Sequence, residues 1–142
     1  MKENTPFSDV FDFTISKLTD YSFFELTEDE LTQEFTKKMR ISLAKCITFK
    51  DIKADYDMEE FSRELSDLEI DIISNWMIVE YLNPKINSIE ILKPRMASKD
   101  YQTFSQANHL KELSALRKEA SSTAHYWMNR YPLIIASQNR VK

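Results

Sequence analysis

The chain contains no glycine in its 142 residues. At the usual frequency of roughly 7%, about ten would be present in a chain of this length. Because glycine supplies the left-handed backbone conformations of turns and helix ends, its absence favours long helices joined by Asn, Asp and Pro turns. It also excludes functions that need a glycine-rich loop, such as a phosphate-binding loop, a dinucleotide fingerprint or a nucleophile elbow.

The most apolar stretch, Ser66 to Leu82, predicts a central helix. Ser66 and Glu69 have the spacing of a capping box, in which each side chain accepts a backbone N–H of the other. Apolar residues form two adjoining stripes, so the helix is expected to be buried on several sides. Asn83-Pro84 predicts its end. The apolar run of about 15 residues is shorter than the roughly 20 of a membrane span.

Three further helices are predicted around the central one. Apolar spacing indicates a first helix over about 7–19 and a second over about 27–48, the second opened by a capping box of Thr27 and Glu30. A long last helix is predicted over about 105–130, ended by Pro132. These patterns predict an all-α fold, a helical bundle of about four main helices forming one domain over residues 1–142.

The remaining segments lack clear helical periodicity. Residues 49–57 are predicted as an extended link or a short strand, and 58–65 as one or two helical turns. Weak alternation over 88–92 indicates a short strand or hairpin within a longer irregular segment. The predicted non-helical parts are a flexible arm at 1–6, an extended loop at about 83–104 and a C-terminal tail at 132–142.

The charge is divided unequally along the chain. Residues 1–84 contain 9 Lys and Arg against 19 Asp and Glu, a net charge of −10, whereas residues 85–142 contain 10 against 4, a net charge of +6. Either the two halves neutralise each other within one molecule, or copies of the chain pair acidic face to basic face.

Two segments are candidates for contact with another subunit or a partner. The basic residues of the predicted loop would face DNA phosphate, a neighbouring subunit or solvent. The apolar tripeptide in the predicted tail would fold back on its own core or dock on another chain. The candidate contact residues are Lys93, Arg95, Lys99, Tyr101, Leu133, Ile134 and Ile135.

The residue types that carry catalysis or bind metals do not form a recognisable pattern. His109 and His125 are too far apart on one predicted helix to share a metal. The acidic stretch 51–60 has Tyr56 where a calcium loop needs glycine. The single cysteine, Cys46, is predicted to be a buried core residue. We therefore predict no metal, no cofactor and no enzymatic activity, and an acidic pI near 5.3 disfavours a nucleic-acid-binding domain.

A pattern over roughly residues 27–131 resembles the head–tail connector proteins, also called adaptor or neck proteins, of tailed bacteriophages. Its parts are Phe61…Leu65-Ser66…Glu69-Ile70…Ile73…Trp76-Met77, then Leu82-Asn83-Pro84-Lys85-Ile86, then the distinctive segment DYQTFSQANHLKEL at 100–113.

The resemblance implies a structural virion protein of the phage neck that assembles in the host cytoplasm. Such connectors are helical bundles that form a ring, commonly a dodecamer, below the portal and continue the DNA channel. The implied partners are other copies of the chain, the portal protein, head-closure or tail proteins and, without sequence specificity, DNA in the channel. No membrane is implied.

An alternative function follows from the acidic run between Asp51 and Asp71. It contains 9 acidic residues against Lys53 and Arg63. A small acidic helical protein of this kind would bind a host or phage protein as a regulator.

Overall fold

A computed structural model describes residues 3–18, 26–46, 48–49, 51–92 and 100–141, with side chains outside 89–107 and 139–141. It has four helices and one small hairpin, and therefore confirms the predicted all-α bundle. The elements are α1 (Phe7–Lys17), α2 (Glu28–Lys45), β1 (Ala54–Asp55), β2 (Glu60–Phe61), α3 (Asp67–Leu92) and α4 (Asp100–Val141).

Helix α3 is the centre of the bundle, as its apolar sequence predicts. It packs against α1, α2 and α4, and every residue from 72 to 79 is buried. The predicted capping box is present: the Ser66 N–H donates to Glu69 Oε1 at 2.8 Å, and the Glu69 N–H donates to Ser66 Oγ at 3.2 Å. The cap fixes where α3 begins, and burial on several sides holds it in place.

Helices α1 and α2 both pack against α3 and end two to three residues earlier than their periodicity predicts. The Thr27–Glu30 capping box opens α2 as predicted. Phe11 of α1 and Phe35 of α2 meet edge to face, with ring centroids 5.7 Å apart. Both rings are buried, so this aromatic contact joins the two helices over α3.

Neither internal proline ends its helix, contrary to the sequence prediction. Pro84 lies within α3 and Pro132 within α4. A proline inside a helix removes one backbone hydrogen bond, but each helix has buried residues close to its proline: Leu82 and Ile86 around Pro84, and Tyr131 before Pro132, are at most 6% exposed. Their packing outweighs the lost bond, and both helices continue.

The predicted extended loop at 83–104 is therefore wrong over 83–92, which belong to α3, and over 100–104, which belong to α4. The strand or hairpin predicted at 88–92 is helical. Residues 93–99 lie outside the described part of the chain. The predicted C-terminal tail at 132–142 is helical from 132 to 141.

Helices α3 and α4 form an antiparallel pair, and α4 is much the longer. Arg117 donates to the Asn83 side chain at 3.0 Å, and Tyr131 donates to Glu69 at 2.6 Å. At 1.5 Å per residue, the 42 residues of α4 span about 63 Å and the 26 residues of α3 about 39 Å. In this register α4 extends past both ends of α3.

The N-terminal residues Thr5 and Pro6 lie beside the β1–β2 hairpin. The predicted flexible arm at 1–6 is therefore wrong at these two residues. The Phe61 N–H donates to Thr5 O at 2.8 Å, and the Phe7 N–H donates to Glu59 O at 2.9 Å. Thr5 is 6% exposed. The helical turns predicted at 58–65 are wrong, because these residues form a turn, strand β2 and bends. The alternative of a short strand within 49–57 is confirmed by β1.

No helix among the described residues is both long enough and apolar enough to cross a membrane.

Candidate functional site

A polar cluster lies where α3 begins and α4 passes over it. Glu69 is its centre and is only 2% exposed. Its Oε1 accepts hydrogen bonds from the Ser66 N–H at 2.8 Å and from Arg63 Nη1 at 2.9 Å. Its Oε2 accepts a hydrogen bond from the Tyr131 hydroxyl of α4 at 2.6 Å. The buried carboxylate thus has partners on both oxygens.

Arg63 connects Glu69 to the segment before the hairpin. Its Nε donates to Asp51 Oδ2 at 2.9 Å, while its Nη atoms donate to Glu69. The Arg63 side chain is 31% exposed, whereas that of Asp51 is 69% exposed. The guanidinium therefore spans from the protein interior to solvent, and its planar fork suits two carboxylates at once.

The surroundings shift the pKa of three groups in this cluster. Burial alone would raise the pKa of Glu69, but hydrogen bonds from Arg63, Ser66 and Tyr131 outweigh it and hold that pKa at about 2. Hydrogen bonding to Glu69 raises the pKa of Arg63 above its usual value. Burial, together with the bond to Glu69, raises the pKa of Tyr131. At neutral pH the cluster is a fixed carboxylate–guanidinium pair with a neutral phenol.

This cluster forms one wall of an open cleft of about 670 Å³. The opposite wall comes from the end of α4, where Ile134, Ile135 and Gln138 line the cleft. Because Glu69 stays ionised and both its oxygens are engaged, it is suited to joining α3 to α4 rather than to transferring protons near neutral pH. In the folded molecule its hydrogen bond from Tyr131 joins α3 to α4.

Unlike the buried cluster around Glu69, the outer surface of α4 exposes an aromatic, a charged and an aliphatic side chain to solvent. We call Tyr126, Arg130 and Leu133 the α4 patch. The Arg130 guanidinium lies over the Tyr126 ring, 3.6 Å from its centroid. Tyr126 is 47% exposed and Leu133 71% exposed. Positions 126, 130 and 133 are one and two turns apart, so they share one helix face directed away from α3.

The β1–β2 hairpin exposes an acidic tip, which we define as residues 55–60. Asp55 Oδ1 accepts hydrogen bonds from the N–H groups of Asp57 and Met58, both at 3.1 Å. Glu59 has a φ of 54°, a left-handed conformation that closes the turn. Met58 at the end of the tip is 67% exposed. The chain therefore holds an apolar side chain in solvent between two acidic ones.

Five ion pairs between described residues lie within the acidic half of the chain. The pairs are Lys17–Asp71, Lys37–Glu34, Lys45–Glu80, Arg63–Asp51 and Arg63–Glu69. Within that described part, none joins Lys111, Lys118 or Arg130 of α4 to an acidic residue of 1–84. One interpretation of the charge division is that the two halves neutralise each other within one molecule. Among the described residues, no ion pair of these three cations supports that interpretation.

The predicted contact residues have different environments. Lys93, Arg95 and Lys99 lie outside the described residues, and Tyr101 belongs to the first turn of α4, with its side chain outside the described set. Leu133 is exposed. Ile134 and Ile135 are partly buried and face the cleft. The apolar tripeptide is thus divided: two residues face the core side of α4 and one faces solvent.

The described residues contain no group of three or more His, Cys, Asp or Glu side chains positioned to hold a metal ion. The His125 ring packs edge-on against Trp76, with ring centroids 4.8 Å apart, and His109 is exposed on the same helix. Cys46 is buried, and burial raises its pKa to about 12. A thiol in that environment is chemically inert.

Sequence reasoning missed the contacts of Arg63 and Tyr131 with Glu69 and the exposed position of Met58. The Ser66–Glu69 capping box located Glu69, but Tyr131 is 62 positions away and its contact depends on the register of α3 against α4. The signal for Met58 was present: an apolar residue stands between Asp57 and Glu59 in an otherwise acidic segment.

Comparisons with protein-family models, with curated proteins and with solved structures find no match to this chain.

Proposed function

We propose that this chain is a structural protein of a tailed-phage neck, forming a ring below the portal that joins head to tail and continues the DNA channel. The sequence pattern that resembles phage connectors supports the proposal. The helical bundle, in which two shorter helices and one long helix pack against a central helix, is compatible with such a subunit.

One observation carries the proposal furthest: among the described residues, no ion pair joins Lys111, Lys118 or Arg130 of α4 to an acidic residue of 1–84. Among the described ion pairs, the acids and the cations all belong to residues 1–84, while Lys111, Lys118 and Arg130 are exposed on α4. Two unlike surfaces on one subunit favour head-to-tail contacts between copies, and such contacts close into rings when the rotation allows. Charge complementarity also selects the correct register between neighbours.

Composition analysis of purified virions tests this proposal. We expect the chain to be present at about the copy number of one portal-sized ring, and electron microscopy of the protein mixed with the portal protein of the same phage to show a closed ring against the portal. Absence from virions, together with no ring in the mixture, would overturn it.

A second candidate function is that of an acidic regulatory protein. It is favoured by the exposed acids around the hairpin, Asp55, Asp57, Glu59, Glu64 and Asp67. Capture of one stoichiometric host protein by the intact chain, lost when Asp55 and Asp57 are changed to Asn, would favour this function over the neck protein.

A further inference from the structure

We infer that the acidic hairpin tip of one copy docks on the α4 patch of a neighbouring copy. The inference deepens the proposed function, because it names the two surfaces through which copies in a ring would meet, and it rests on that proposal for its biological setting.

The hairpin tip has the features of a docking element. The segment 53–64 carries five acidic residues against Lys53 and Arg63, and the Arg63 charge is already engaged by Asp51 and Glu69. The acids therefore outnumber the cations around Met58, although the Arg40 guanidinium stacks on Tyr56 of the tip, 4.2 Å from the ring centroid. The flexible, polarizable Met side chain adapts to irregular surfaces and makes favourable contacts with aromatic rings.

The α4 patch supplies the complementary groups. Tyr126 offers an exposed ring, Leu133 an exposed aliphatic side chain, and Arg130 a positive charge between them on the same helix face. Among the described residues Arg130 has no acidic partner; it donates to the Tyr126 carbonyl at 3.4 Å. An incoming acidic residue would gain a charge-assisted hydrogen bond there, and Met58 would cover the Tyr126 and Leu133 side chains.

A second copy is the occupant that these observations favour. Met58, Tyr126 and Leu133 are all exposed within a single molecule, so the two surfaces do not cover each other in one copy. They are complementary in sign and both contain large apolar side chains. Because the two surfaces differ, each copy would use one toward each neighbour, which is the heterologous contact from which rings are built.

Site-directed disulfide trapping tests the contact directly. One chain carries Met58→Cys and a second carries Leu133→Cys, and the two are mixed under oxidised glutathione. We expect the mixed 58–133 disulfide to form at least about tenfold faster than the 58–58 or 133–133 disulfide, since docking raises the local thiol concentration. Native Cys46 is buried at 3% exposure and stays out of the exchange.

The control replaces Met58→Cys with Ile41→Cys, an exposed apolar position on α2 at 46% against 67% for Met58. Equal trapping rates for the 41–133 and 58–133 pairs would overturn the inference. A charge cycle gives a second readout. Arg130→Glu should lower the 58–133 trapping rate severalfold, and combining it with Asp57→Lys on the other chain should restore it. Lack of both the loss and the rescue would count against the inference.

The two proposals can fail separately. Rings on the portal without preferential 58–133 trapping would leave the neck function standing and place the subunit contact elsewhere. Preferential trapping in a protein absent from virions would support the contact and remove the neck function.

Discussion

The start of α3 and the outer face of α4 use charge in opposite ways. At the start of α3, Glu69 is buried and both its oxygens accept hydrogen bonds, from Arg63, Tyr131 and its own capping partner Ser66. On α4, Arg130 is exposed beside Tyr126 and Leu133. A buried charge with all its partners present joins helices within one molecule, whereas an exposed charge beside apolar side chains is available to another molecule.

This comparison predicts that changes at the two places separate stability from assembly. Changes in the Glu69 cluster should lower the free energy of unfolding strongly. Changes in the α4 patch should leave that free energy nearly unaltered and act on association between copies.

The largest effect is expected for Glu69→Ala. It removes the Glu69 half of the capping box, while the N–H of residue 69 still donates to Ser66 Oγ, and it leaves Arg63 and the Tyr131 hydroxyl without their shared acceptor. Breaking a buried ion pair should lower the free energy of unfolding by about 4 kcal/mol, measured by urea denaturation. The control Glu64→Ala, at an exposed position five residues earlier, should change it by less than about 0.5 kcal/mol. Equal losses in both variants would contradict the structural role of Glu69.

Acid should destabilise the folded chain through the same carboxylate. The pKa of Glu69 is about 2 in the folded state against an ordinary value of 4.5, so its contribution is present above pH 4.5 and is lost as pH falls toward 2. That shift corresponds to about 3 kcal/mol. Denaturation curves at a series of pH values should show the loss in wild type and much less of it in Glu69→Ala. A pH dependence that Glu69→Ala leaves unaltered would assign it to other carboxylates.

A smaller loss is expected for Tyr131→Phe. The variant keeps the buried ring, which packs on Phe49 with centroids 4.6 Å apart, and removes the hydrogen bond to Glu69. A hydrogen bond to a charged group contributes about 2 kcal/mol. Because the raised pKa of Tyr131 favours the neutral phenol, wild type should also lose stability as pH rises above about 10, and Tyr131→Phe should not. Tyr126→Phe, on the exposed face of α4, is the control and should change stability little.

The smallest effect on stability is expected for Leu133→Asp. Leu133 is 71% exposed, so the free energy of unfolding should change by less than about 0.5 kcal/mol. Association between copies should be lost, because the substitution places a negative charge where the acidic hairpin tip docks. Sedimentation in the presence of the portal protein measures the association between copies for wild type and for Leu133→Asp. An unaltered assembly would remove Leu133 from the subunit contact.

Local sequence signals predicted the helices well where capping and apolar spacing agreed. Both capping boxes, at Thr27 and Ser66, form as predicted. The two prolines led to wrong predictions of helix ends, because the local tendency of proline to end a helix competes with the burial of nearby side chains. Leu82 and Ile86 pack into the core on either side of Pro84, and Tyr131 packs into it just before Pro132. That packing is a property of the folded bundle, not of the dipeptide.

The candidate site was less predictable because it depends on long-range register. Glu69 and Tyr131 are distant in sequence and meet because α4 runs antiparallel to α3 and extends past its beginning. Asp51 joins the cluster through Arg63, which pairs with both Asp51 and Glu69. Leu133 faces solvent while Ile134 and Ile135 face the cleft because α4 continues through Pro132. In a continuous helix, successive side chains are rotated by about 100°.

Native mass spectrometry of two defective variants, alone and mixed, in the presence of the portal protein, tests the contact between copies most directly. Met58→Asp damages the hairpin tip and Leu133→Asp the α4 patch. Wild type should give one closed-ring mass, each variant alone should remain monomeric, and the mixture should stop at 1:1 dimers, because a pair retains one intact contact. Full rings from either variant alone, or monomers in the wild-type sample, would contradict the proposed contact between the hairpin tip and the α4 patch.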